Sequence, residues 1–145
     1  MVEGRVEKED LPSLRLINEI SWIDLSFSTG DIPIAARNVE IHSRVKLPLP
    51  RGVITDGLTR QQYSDRLVQS LSEFRSQAAA TGHNLRLILM SCRQGGPFTI
   101  LEGNHTAMAL YFRHFIDEPQ IQYPAHYAYL GVSFDMVNYQ FFHSS

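Results

Sequence analysis

The chain has 145 residues, 43% of them hydrophobic and 19% charged, and a formal net charge of −2. That balance excludes a disordered tail and a fibrous repeat, and the length suits one domain with its own core. No apolar run approaches the roughly 18 residues of a membrane span, the opening MVEGRVEKEDLP lacks a signal-peptide stretch, and the lone Cys92 excludes an intrachain disulfide or a multi-cysteine zinc site. The expectation is a soluble cytoplasmic protein without a membrane partner.

Taken in chain order, residues 1–12 read as a flexible N-terminal tail and 13–145 as a single domain. Within 13–27, Ile20, Trp22 and Leu25 suggest one side of a strand, with a short helix over 11–18 as the alternative. Gly30, Asp31 and Pro33 mark a turn. Residues 38–47, NVEIHSRVKL, alternate apolar and polar positions and predict a half-buried strand. A Pro/Gly loop at 48–52 leads to a helix over 58–80, with Thr59 as N-cap and Gly82 at the C-terminal cap. LRLILMSCR (85–93) and FTILEG (98–103), joined through Gly95, Gly96 and Pro97, form a hairpin. An apolar helix runs from Thr106 until Pro119, and YAYLGVSF (127–134) is the last strand. The fold class expected is a compact α+β domain, a small mixed sheet packed by two main helices.

The small net charge hides an uneven distribution. Residues 37–93 carry nine bases against four acids, a net of +5, between flanks of −4 and −3, and 11 of the 13 bases are Arg. Arginine is the better bidentate partner for phosphate or carboxylate. The basic stretch precedes the most informative segment, ILEGNHTAMAL at 100–110. Here a strand turns abruptly into a helix. The first N–H groups of a helix lack internal partners and sit at the positive end of its dipole, an arrangement suited to anions. Gly103 is the pivot, His105 and Thr106 supply side-chain donors, and Glu102 supplies an acceptor or general base. His105 is the expected acid/base, because imidazole titrates near neutrality, with Glu102 orienting it. Arg37, Arg44 and Arg93 are the expected anion contacts from the basic stretch.

The order SLSEFRSQ, LRLILMSCRQGGPFTILEGNHTAMALYF and HYAYLGVSF resembles the ParB/sulfiredoxin-like superfamily, in which a strand ends in a Gly-x-His-Arg or Gly-x-Arg-Arg motif that opens a helix. The resemblance covers about half of the chain, Tyr63 to Phe134. It implies a nucleotide ligand, with Mg2+, whose phosphates lie against Gly103, Asn104 and His105. Thr106 stands where the family has Arg, and offers one hydroxyl where Arg offers a bidentate clamp. Asn104 occupies the position of the sulfiredoxin nucleophilic cysteine, and Cys92 reads as a small core residue.

The six histidines have no paired metal-ligand spacing, so no metal site is expected. A sequence pI near 6.3 and only two lysines disfavour duplex DNA as a partner. The expected ligand is a phosphorylated or otherwise anionic small molecule, bound by a small enzyme or ligand-binding domain. The alternative is a non-catalytic interaction module whose aromatic C-terminus, Tyr139 to Phe142, contacts a protein partner or a second copy.

Overall fold

The computed structural model describes residues 2–45, 60–81, 86–93, 95–124 and 126–133. They form a mixed α+β domain around one four-stranded sheet. Strands β1 (Val2–Val6), β2 (Arg86–Ser91), β3 (Thr99–Glu102) and β4 (His126–Val132) lie in the order β1-β4-β2-β3. β1 runs antiparallel to β4, β4 parallel to β2, and β2 antiparallel to β3. Helices α1 (Ile20–Leu25), α2 (Ile32–Val45), α3 (Arg60–Thr81) and α4 (Asn104–Tyr111) complete the domain, and α4 continues as a π-helical turn, Phe112–Asp117. No helix among the described residues is long and apolar enough to cross a membrane.

The hairpin, the long helix, the helix after Glu102 and the last strand lie where the sequence predicts them. Three expectations are corrected. The N-terminal residues are not a loose tail: Val2–Val6 pair with β4 from Val2↔Leu130 to Val6↔His126, and a 3-10 helix follows at Lys8–Ser13. Gly4 hid this strand by contributing no side chain. A Cβ at this position would meet the Leu130 side chain, which would have to shift to admit it. The predicted strand within 13–27 is α1 instead, with Trp22 and Leu25 buried three residues apart on one helical face.

The predicted strand 38–47 lies in α2 up to Val45. Its alternation is real, but the buried residues are Ile32, Ala35, Ala36 and Val39, a helical period that begins before the window. Pro33, read as a turn signal, stands in the first turn of α2, where its missing N–H has no helical acceptor to lose. The loop at 48–52, Thr59, Gly82 and the aromatic tail lie outside the described residues.

One sheet face packs on the helices. Val6, Ala128, Leu87, Leu89 and Ile100 turn inward onto a core that includes Leu16, Leu25, Leu71, Met108 and Phe112. The other face of β4 presents Tyr127 and Tyr129, 48% and 42% exposed. Cys92 follows β2 and is only partly buried, not a core residue.

Arg75 binds the helical layer together. Its guanidinium stacks on the Phe112 ring at 4.2 Å, pairs with Glu40 of α2, and takes Asp117 at the end of the π turn through two nitrogens, with Nε–Oδ2 at 2.8 Å. These acceptors raise its already high pKa further, against the opposing effect of burial. The network is partly solvated, so its contribution falls short of that of a buried cluster. Arg75→Ala is expected to cost about 1–2 kcal/mol, and Arg75→Lys to restore less than half, since Lys lacks the planar fork. Urea melts of the two variants check this.

Candidate functional site

The turn from β3 into α4 has the form the sequence suggests. Gly103 adopts φ 100°, ψ 23°, a left-handed conformation that side-chain-bearing residues resist. Its carbonyl accepts the first helical bond, from Ala107 N–H at 2.8 Å. The N–H groups of Asn104, His105 and Thr106 have no hydrogen-bond acceptor among the described residues.

The Asn104 side chain is taken up by the fold. Only 8% exposed, it holds the turn to the body of the domain. Its Oδ1 accepts the Ile17 N–H at 2.9 Å and its Nδ2 donates to the Ile100 carbonyl at 3.3 Å. Asparagine suits this because one short amide both donates and accepts.

His105 occupies a slot between two helices. Its ring meets Trp22 of α1 edge-on, with centroids 5.2 Å apart, and Phe74 of α3 at 6.1 Å. Nε2 lies 3.0 Å from Ser70 Oγ, on the turn of α3 before Phe74. Burial lowers the pKa of His105 from its ordinary value, which favours the neutral ring at physiological pH. The expected orienting partner, Glu102, is instead exposed at the end of β3, opposite Ile88. The group bonded to the imidazole is Ser70. Thr106 is partly exposed in the first turn of α4.

The expected arginines do not gather here. Arg93 lies in the β2–β3 turn, at the opposite end of β3 from Glu102, and its Nε donates to the Gly96 carbonyl at 3.0 Å. Arg37 is exposed on α2 and makes no hydrogen bond or ion pair to the 102–106 turn among the described residues. The Arg44 side chain lies outside the described residues. Arg66 was missed: exposed on α3, one helical turn before Ser70 on the same face, it has no ion-pair partner among the described residues. Ser70, Phe74 and Arg66 recur at i, i+4 and i+8 of the helix, a signal legible only once α3 is known to pack against the turn.

No three His, Cys, Asp or Glu side chains among the described residues converge on a cation position. Glu102 is the one carboxylate of the 102–106 turn, so this donor set fits Mg2+ only as an ion held mainly by a ligand's own phosphates.

No family model, curated protein or solved structure matches the chain.

Proposed function

We propose that this chain is a small enzyme or ligand-binding domain of ParB/sulfiredoxin-like type that recognises an anionic small molecule, a nucleotide foremost, at the 102–106 turn, with His105 as its acid/base group. The observation that carries the reading is the left-handed Gly103, which begins α4 with three N–H groups lacking acceptors among the described residues, next to a half-buried imidazole. Those amides suit an anion at the positive end of a helix. The neutral imidazole suits proton transfer near neutral pH. The passage from β3 through Gly103 into α4 is the segment on which the resemblance was drawn.

Thermal unfolding with ATP, CTP, ADP and pyrophosphate, each with and without Mg2+, tests it. At ten times its Kd a ligand adds about 1.4 kcal/mol, or roughly 3–5 °C for a domain of this size. A shift of that order with one of these ligands, reduced in Thr106→Pro, which removes one first-turn N–H, supports the reading. Absence of any shift at millimolar ligand sinks it.

The second reading, a non-catalytic interaction domain, draws on Tyr127 and Tyr129 standing exposed on the sheet face away from the helices.

A further inference from the structure

The contact between Ser70 and His105 has the form of a nucleophile and its base. Ser70 is exposed, so an incoming electrophile reaches Oγ. Nε2 of His105 lies 3.0 Å away, within reach of the hydroxyl proton. The imidazole is held by rings rather than by solvent, with Trp22 on one side and Phe74 on another, so its direction is set before a substrate arrives. The first-turn N–H groups of α4, the turn that carries His105, have no acceptor among the described residues. Arg66 stands one helical turn from Ser70 with no ion-pair partner among the described residues. Glu73, one turn on, is held by Gln69 at 3.4 Å.

We propose that Ser70 is a nucleophile activated by His105, and that the site transfers acyl groups from carboxylic esters whose anionic end pairs with Arg66. This rests on the reading of His105 as an acid/base group. Ser70 Oγ attacks the ester carbonyl, forming the Oγ–C bond while its proton passes to His105 Nε2. The oxyanion is met by the amides at the start of α4. The bond from the carbonyl carbon to the alcohol oxygen then breaks, and the leaving alcohol takes the proton from Nε2. Water repeats the sequence: it yields a proton to Nε2, its oxygen attacks the acyl carbon, and the carboxylic acid leaves as Ser70 regains its proton. Burial, which favours neutral His105, keeps Nε2 available as base.

A fluorophosphonate reports the first half of this chemistry directly, since the Oγ–P bond forms, the P–F bond breaks and fluoride leaves. The full-length protein is treated with this probe and the adduct located by peptide mass. One adduct at Ser70 is expected, absent in Ser70→Ala and formed about 100-fold more slowly in His105→Gln. The wild-type rate should rise with pH through a midpoint below that of free imidazole. No adduct, an adduct at another residue, or an unchanged rate in His105→Gln overturns the proposal. Far-ultraviolet circular dichroism confirms that the variants compared are folded.

Ester specificity is read with p-nitrophenyl acetate and the p-nitrophenyl monoester of succinic acid. Arg66→Gln should raise KM for the succinyl ester alone, and an equal effect on both esters, or on neither, overturns the assignment of Arg66. Labelling without any nucleotide-induced thermal shift leaves Ser70 standing and removes the nucleotide reading. A shift without labelling does the reverse.

Discussion

Acidification from about pH 7 to about pH 5 is expected to destabilise the protein steeply, and replacing His114 and His126 to remove most of that slope. Both side chains are buried, 1% and 5% exposed, and each has a ring nitrogen without a hydrogen-bond partner among the described residues, Nδ1 of His114 and Nε2 of His126. Tyr123 stands between them, its ring 4.9 Å from His114 and 5.0 Å from His126, both edge-on. Its hydroxyl donates to the Val6 carbonyl at 3.0 Å, so the cluster joins the π turn, β4 and β1. Burial is the main cause lowering both imidazoles, and for His114 the positive charges of Arg113, His126 and Lys8 add to it. Burial, with Asp10, Glu7 and Glu9 nearby, raises the Tyr123 phenol, so it stays neutral throughout this range.

The sign follows from which state holds more protons. An unfolded histidine protonates near its ordinary 6.5, while the folded one resists until lower pH. Between those points the unfolded state binds the extra proton. Stability is therefore full above about pH 6.5 and falls as the pH drops toward the folded value, at up to about 1.4 kcal/mol per pH unit for each histidine. Urea melts across this range, for wild type and for the His114→Phe/His126→Phe double variant, measure the slope. His105, also lowered by burial, accounts for the residual in the variant. If the double variant loses as much stability as wild type, other groups carry the acid sensitivity.

Asn104→Ala is the second large effect expected, a loss of about 2–4 kcal/mol and roughly 6–12 °C in thermal midpoint. The change deletes two hydrogen bonds and leaves the Ile17 N–H and the Ile100 carbonyl without their side-chain partner. An unsatisfied buried polar group costs more than the bond itself contributes. Asn104→Asp retains the acceptor for Ile17 but cannot donate to Ile100, and should fall between. Thr106→Ala, two residues on and partly exposed, should stay within about 0.5 kcal/mol of wild type. Calorimetry on the three variants decides it: comparable losses for Asn104→Ala and Thr106→Ala would show that Asn104 is not the tether of this turn.

The sequence was most legible where one local pattern implies one structure. Gly95, Gly96 and Pro97 between two apolar runs marked the hairpin, and Leu67 with Leu71 marked α3. Gly103 between an apolar run and a helix-forming run marked the turn, and its positive φ is the physical reason glycine stands there. Patterns failed where two periods overlap or where the partner is distant. Residues 38–45 satisfy alternation locally, but burial against α3 and α4 selected the helical period begun at Ile32. Val2–Val6 contain a glycine and two charges, and only pairing with β4, more than a hundred residues away, makes them a strand.

The candidate site divides in the same way. Local sequence was enough to mark the 102–106 turn, its glycine and its histidine, because backbone conformation and helix polarity are set within a few residues. Tertiary packing decided what each side chain meets. The amide of Asn104 is occupied by Ile17 and Ile100, Glu102 gives way to Ser70 as the partner of His105, and Arg93 lies at the far end of β3. The physical reason is range: a turn or a helix start depends on neighbours along the chain, whereas a hydrogen bond across 35 residues, as between Ser70 and His105, exists only after α3 has packed on α4.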